Sequence, residues 1–206
     1  MTVTKTLFLI AILGHVLCAW CDCLLIYAGG KKFSFSLMAD NDGMQRVFSE
    51  MPARNPLMSM LLGCLALLLC SGGYYALYLW MKPFSETAAL IMLIAGALFF
   101  IPGTAHHVFC GVMEWFYIRM NMTEQARQVV ADFFKKTSVT MIACYIGMMT
   151  FCVTLFVMVV SGATALPAWA CVFNSLLIAA VLFPMRIGGA GNWAGAIMFL
   201  ALLLLI

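Results

Sequence analysis

Apolar residues occur along this chain in long runs that short polar segments separate. Windows of about 20 apolar residues, the length of helix that crosses a bilayer, recur six times. No stretch alternates apolar and polar residues with period two, as the strands of a membrane barrel would. The pattern therefore predicts an all-α fold, a polytopic transmembrane helical bundle that forms a single domain over residues 1–206. The predicted spans cover about 6–28, 56–80, 86–117, 137–160, 166–185 and 190–206.

The third predicted span is long for one crossing and contains Pro102-Gly103. Proline removes a helical hydrogen bond, so we expect a kink there. Polar segments 33–55 and 124–136 carry apolar residues at helical spacing, which predicts short amphipathic segments at the cytoplasmic surface. Thr123 is the expected N-cap of the second segment.

Composition changes this picture little but excludes several classes of protein. Apolar residues make up 65% of the chain and charged residues 9%, against about a quarter charged in soluble domains. A formal net charge of +3 is too small to indicate a nucleic-acid partner. The apolar composition instead predicts the lipid bilayer as the partner. The nine cysteines lie in or beside apolar runs, which favours reduced packing residues over a disulfide scaffold.

The distribution of lysine and arginine predicts the orientation. Loops one, three and five hold nine of these residues, whereas the amino-terminal tail and the loop after span two hold two. Cytoplasmic loops carry the excess of basic residues. We therefore expect a multi-pass protein of the cell (inner) membrane with loops one, three and five in the cytoplasm and both termini outside.

Ionisable residues inside two of the spans are the candidate chemistry. Such groups are expensive in a bilayer and normally face a bundle interior, so each suggests a functional site. One spacing occurs in both spans, on one face of each helix and at similar predicted depth. The two stripes are His15, Cys18 and Asp22 in span one, and His107, Cys110 and Glu114 in span three.

We expect these stripes to face each other across a polar pocket that binds a small molecule or a small amphiphile or lipid. Asp22 and Glu114 would act as acid/base or anchoring carboxylates, with His15 and His107 as their partners. Such a pocket also fits a membrane enzyme. The sequence leaves open whether the protein is an enzyme and whether it needs a cofactor.

We predict no metal site, because the chain has no tight ligand motif. Should an ion bind, ligands would have to come from both helices. The residues that could supply them are His107, Cys110, Glu114 and Asp22.

Two other classes of function remain open. One is a small transporter or proton-coupled carrier, for which dimerisation into a homo-oligomer would compensate the small size. The other is a structural or accessory subunit without a site, whose polar residues pair across helices. Glu114 lies near Trp115 and Arg119, so it could also be solvated at the interface. Asn174, Asn192, Tyr74, Tyr75 and Tyr78 are further candidate members of the pocket.

Four short motifs give the chain a resemblance to a known family. They are Asp22-Cys23-Leu24-Leu25-Ile26-Tyr27, Glu50-Met51-Pro52, Gly103-Thr104-Ala105-His106-His107 and Gly188-Gly189-Ala190-Gly191-Asn192. With these the chain resembles an uncharacterised family of bacterial six-span membrane proteins, known as a domain of unknown function. The resemblance implies a bacterial cell-membrane protein and Asp22, His107 and Asn192 as features shared with the family. It implies no activity.

Overall fold

The computed structural model describes residues 2–206, and the chain is 80% helical, which confirms the all-α class. The helices are α1 Val3–Ile26, α2 Asn41–Phe48, α3 Arg54–Met81, α4 Glu86–Arg119, α5 Glu124–Thr137, α6 Val139–Val160, α7 Ser175–Leu182 and α8 Ala190–Leu205. Two 3-10 helices cover Phe35–Ala39 and Ala168–Phe173. A small antiparallel hairpin pairs β1 Tyr27–Ala28 with β2 Lys31–Lys32.

Over residues 2–206, four helical stretches are long and apolar enough to cross a membrane. They are α1, α3, α4 and the stretch Glu124–Val160, which joins α5 to α6. The 16 residues of α8 are also apolar but form a shorter helix. The predicted N-cap of α5 is confirmed, because the Thr123 hydroxyl accepts a hydrogen bond from the Ala126 amide at 3.2 Å.

The segment predicted as span five is not one continuous helix. Asn174 interrupts it with extended backbone between the 3-10 helix Ala168–Phe173 and α7. Its side-chain oxygen caps α7 through the Leu176 amide (3.0 Å), and its amide donates to the Cys152 carbonyl of α6 (2.8 Å). Asparagine competes with the helical backbone for hydrogen bonds in this way, so the helix restarts here.

In contrast, α4 continues as one helix through Pro102 for 34 residues, a length of roughly 51 Å. Pro102 occupies a partly buried position, and the Thr104 hydroxyl donates to the Phe100 carbonyl at 2.8 Å. The expected kink stays a prediction.

Glycines allow the long helices to pack closely. A Cβ at Gly14 of α1 would lie 2.7 Å from the Cys70 amide of α3, and one at Gly147 of α6 would lie 2.5 Å from the Phe99 amide of α4. Backbones that approach this closely are typical of helix packing at small residues. Between the helices, an aromatic cluster surrounds the buried ring of Tyr74. Its members are Phe99, Phe100, Phe151 and Phe199.

At one end of the bundle, residues 33–51 and α5 form what we call the cap. The apolar face of α2 is buried, with Met44 and Phe48 in a second apolar cluster that includes Tyr117 of α4. The Tyr117 hydroxyl donates to the Asn41 side-chain oxygen at 2.8 Å, and Arg127 of α5 donates to the Met38 carbonyl at 2.6 Å. The predicted amphipathic segments therefore exist, and α2 and α5 bury apolar residues within the protein.

The loop between α7 and α8 lies at the same end of the bundle. Lys32 of β2 donates to the Arg186 carbonyl at 3.0 Å. Loops one, three and five, which together hold nine of the eleven lysines and arginines, therefore lie on one side of the molecule.

Candidate functional site

The centre of the site is Asp22, on the half of α1 nearer the cap. Its Oδ2 accepts a hydrogen bond from the Asn192 amide of α8 at 2.8 Å. The Asn192 side-chain oxygen lies 3.1 Å from His15 Nδ1, about two turns before Asp22 on α1. Because that oxygen can only accept, His15 Nδ1 donates the hydrogen. The three side chains thus form a connected relay between α1 and α8.

Local backbone geometry brings Asn192 to this position. Gly189 precedes α8 in the left-handed region, at φ +69°, which favours glycine. A Cβ on Gly189 would lie 2.7 Å from the Ala19 Cα, so α8 begins in direct contact with α1. Asn192 follows three residues later, in the first turn of α8, and faces Asp22.

His107 of α4 approaches Asp22 from the other side. Its Nδ1 lies 3.6 Å from Asp22 Oδ1, and its Nε2 lies 3.1 Å from both the carbonyl and the hydroxyl of Ser59 on α3. The Ser59 hydroxyl donates its own hydrogen to the Cys21 carbonyl at 3.0 Å. Ser59 can therefore only accept from His107, which places an imidazole hydrogen on Nε2, so that in the neutral ring Nδ1 carries a lone pair.

Cys18 completes the group, one turn before Asp22 on α1. One donor atom from each of Cys18, Asp22 and His107 lies within 4.8 Å of the other two, so these residues could hold a metal ion. Four helices therefore contribute to one cluster. We call it the polar site: His15, Cys18, Asp22, Ser59, His107 and Asn192.

Burial differs within the polar site. His15 is 2% exposed, its ring stacks on Phe199 at 5.7 Å, and its Nε2 has no hydrogen-bond partner within residues 2–206. The His107 side chain is 10% exposed, whereas that of Asp22 is 25% exposed. Asp22 is therefore more exposed than either histidine of the site.

The two predicted stripes do not face each other as expected. α1 and α4 run in the same direction because each is antiparallel to α3: Ser59 meets Cys21 of α1 and Gly63 meets His107 of α4. Asp22, the last residue of the first stripe, lies opposite His107, the first of the second. The prediction that Asp22 and Glu114 lie at similar depth is therefore wrong. Glu114 lies about 10 Å beyond His107 along α4, towards the cap.

Three residues of α4 accordingly fall outside the polar site. The Cys110 thiol contacts His106 Nε2 at 3.5 Å, and His106 Nδ1 lies 3.4 Å from the Thr140 hydroxyl of α6. Glu114 is 2% exposed, and its Oε2 has no hydrogen-bond partner in the described part of the chain. Glu114 is therefore a buried carboxyl, which excludes the expectation of a solvated interfacial one.

Of the further candidates, Asn192 joins the polar site, and the Tyr74 ring contacts His15 at 5.9 Å between centroids. Asn174 instead lies at the helix interruption before α7, where it bonds to the Leu176 amide and the Cys152 carbonyl. Ser59 was not predicted from the sequence. Its signal is the small-residue pair Ser59 and Gly63, four residues apart in an apolar helix, which is typical of a close helix contact.

A groove of about 670 Å³ lies between α3 and α4 in the half of the bundle away from the cap. Apolar side chains dominate its wall, together with a few hydroxyl groups. Its polar members are Ser71, Tyr74, Tyr75 and Thr104. Thr104 is one helical turn from His107, so the groove ends close to the polar site.

These observations define an all-α protein whose four longest helical stretches have the length and composition of membrane spans, with a polar site between them. The chain belongs to a family of unknown function, DUF6796, whose model matches residues 1–205. Searches of curated proteins and of solved structures found no match to the chain.

Proposed function

We propose that the chain is a multi-pass protein of a bacterial cell membrane, with the cap in the cytoplasm and both termini outside. The contacts among loops one, three and five support this orientation. These contacts place the three loops, and with them nine of the eleven basic residues, at one end of the bundle. Such an excess of lysine and arginine is typical of a cytoplasmic face.

Six crossings fit the contacts at the two ends of the bundle. α8 begins beside Asp22 and passes antiparallel to α1, where Phe199 contacts Phe8 at 5.5 Å. The interrupted segment before α8 starts beside Val159, at the end away from the cap, and reaches the cap at Arg186. Its broken helix, in which Asn174 satisfies the backbone, supplies the fifth crossing.

Within the bundle, we propose that the polar site binds the polar group of a small molecule or lipid. One observation carries this proposal: Asp22 keeps a 25% exposed side chain among polar groups from four helices. An ionisable residue in a membrane span is costly, and selection retains it where it binds, relays or reacts. If these residues only paired with one another across helices, as in a structural subunit, the Asp22 carboxylate would not need to be exposed.

The adjoining groove supports an amphiphile as the ligand. A volume of about 670 Å³ with apolar walls suits an acyl chain, and its end at Thr104 is one turn from His107. A head group at Asp22 would then anchor a tail lying between α3 and α4. A carboxylate and an imidazole 3.6 Å apart are also groups that acid–base catalysis uses, so a membrane enzyme would act through the same pair.

The test is native mass spectrometry of the full chain released from nanodiscs of phosphatidylethanolamine and phosphatidylglycerol. Wild type and the control His106→Gln, which changes the neighbouring histidine outside the site, are expected to retain a bound lipid. Asp22→Asn is expected to lose it. Equal lipid retention in all three chains would contradict the proposal.

A further inference from the structure

We propose that Cys18, Asp22 and His107 together bind one transition-metal ion, with Zn²⁺ the best match to their donor atoms. The inference rests on the proposed function only in that both use Asp22. A thiolate, an imidazole and a carboxylate are the three ligand types that proteins give to zinc. The residues that carry it differ from the sequence-based set, since Cys18 takes the place of Cys110 and Glu114.

The distances fit a shared ion. Two nitrogen or oxygen ligands about 2.1 Å from a tetrahedral zinc ion are about 3.4 Å apart. His107 Nδ1 and Asp22 Oδ1 are 3.6 Å apart, which is too long for a hydrogen bond between them. The Cys18 thiol lies within 4.8 Å of both side chains, close enough for a rotation about its side-chain bond to bring it into the same sphere.

The hydrogen-bond directions also suit a cation between these groups. Because Nε2 of His107 donates to Ser59, its Nδ1 presents a lone pair to the Asp22 carboxylate. In the neutral ring, this lone pair faces a carboxylate oxygen, an arrangement that is repulsive unless a proton or a metal ion lies between the two atoms. A metal ion bound to both would turn this repulsion into coordination.

The surrounding residues orient the ligands as the outer shell of a metal site does. A metal-binding histidine usually donates its second N–H to a backbone carbonyl, and His107 donates to that of Ser59. Asp22 uses Oδ2 to accept from Asn192, which leaves Oδ1 for the ion, and His15 in turn fixes Asn192. The positioning residues therefore come from α1, α3 and α8.

Charge balance favours the same assignment. A Cys18 thiolate and an Asp22 carboxylate together neutralise a divalent ion, so the complete centre would carry no net charge inside the bundle. Uncompensated charge in such surroundings is strongly unfavourable. Three protein ligands would leave a fourth position for a ligand oxygen or water, as in catalytic rather than structural zinc sites.

The experiment measures metal binding by the full chain in detergent, with Zn²⁺ followed by elemental analysis and Co²⁺ by absorption spectroscopy. About one ion per chain is expected for wild type, with a sulfur-to-cobalt charge-transfer band. Cys18→Ala should lose the band, whereas Cys21→Ala, which changes an equally buried cysteine three residues away, should keep it. His107→Gln should bind at least about tenfold more weakly, and His106→Gln should match wild type.

Asn192→Leu tests the outer shell without changing a ligand, and its affinity is expected to fall by about 10–100-fold. Equal binding by Cys18→Ala and Cys21→Ala would overturn the proposal. Should Cys18→Ala fail to fold, the wild-type spectrum decides, because cobalt bound without the sulfur band also overturns it. Lipid loss in Asp22→Asn without metal binding by wild type would refute the metal site alone. Metal binding by wild type, together with unchanged lipid retention in Asp22→Asn, would refute only the lipid proposal.

Discussion

The imidazole of His107 lies directly against Gly63, where a Cβ would come within 2.2 Å of Nε2. A methyl group there must push the ring away from Ser59 and Asp22. We therefore expect Gly63→Ala to lower the free energy of unfolding by about 1–3 kcal/mol, the usual cost of overpacking. Thermal unfolding in detergent measures it. The control Gly72→Ala, on the same helix with its nearest neighbour at 3.4 Å, should be close to wild type. Equal effects of the two changes would contradict the contact.

Asn192 is expected to couple α1 energetically to α8. Asn192→Leu leaves the His15 donor and one Asp22 oxygen without partners, and we expect a loss of about 1–3 kcal/mol. Asp22→Leu combined with Asn192→Leu should cost less than the sum of the single changes, by about 0.5–3 kcal/mol. A double-mutant cycle of chemical or thermal unfolding measures this. Strict additivity would mean that the two side chains do not interact.

Glu114 is expected to reduce stability, because its buried Oε2 lacks a hydrogen-bond partner in the described part of the chain. Replacing it with methionine, which has a similar shape and no charge, should raise the free energy of unfolding by about 1–3 kcal/mol. The same change at Glu86, an exposed residue at the start of α4, serves as the control and should have little effect. A lower unfolding temperature for Glu114→Met would show that the carboxyl has a stabilising partner.

The cap depends on the hydrogen bond from Tyr117 to Asn41. Tyr117→Phe removes this bond and keeps the buried ring, so the expected loss is about 0.5–1.5 kcal/mol. Because the bond joins α4 to the start of α2, limited proteolysis should cut residues 33–51 sooner in the variant. Tyr145→Phe alters a tyrosine that is half exposed on α6 and should leave the cleavage rate unchanged.

The proposed orientation predicts opposite labelling of two exposed serines. Ser161 follows α6 at the outer end, and Ser49 lies in the cap. In intact cells, a membrane-impermeant maleimide should label Ser161→Cys, and it should label Ser49→Cys only after the cells are opened. The unmodified chain measures the background from its nine cysteines. Labelling of Ser49→Cys in intact cells would reverse the orientation.

Much of the fold could be predicted because long apolar runs admit few backbone solutions. The bounds of α1, α3 and α4 follow from hydropathy, and the start of α5 follows from its N-cap residue Thr123. The interruption at Asn174 could not be predicted this way. Its cause is a hydrogen bond to the Cys152 carbonyl, and hydropathy contains no information about such a tertiary partner.

The sequence predicted part of the residues of this cluster but not how they pair. The cost of ionisable groups in lipid singled out His15, Asp22 and His107. The offset of α4 relative to α3 along the helix axis determines which residue lies opposite Asp22. That offset depends on where glycines permit close contact. Gly63 places His107, rather than Glu114, at the level of Asp22. Equal spacing in two helices therefore says nothing about their relative height.

The bond between Asp22 and Asn192 joins positions 170 residues apart. During synthesis, the first helix is therefore made long before its partner on the last helix exists. Until then Asp22 and His15 have no Asn192 to bond. The polar site is thus complete only when the last helix is in place, and a chain that stops before α8 would lack the amide from which Asp22 accepts its hydrogen bond.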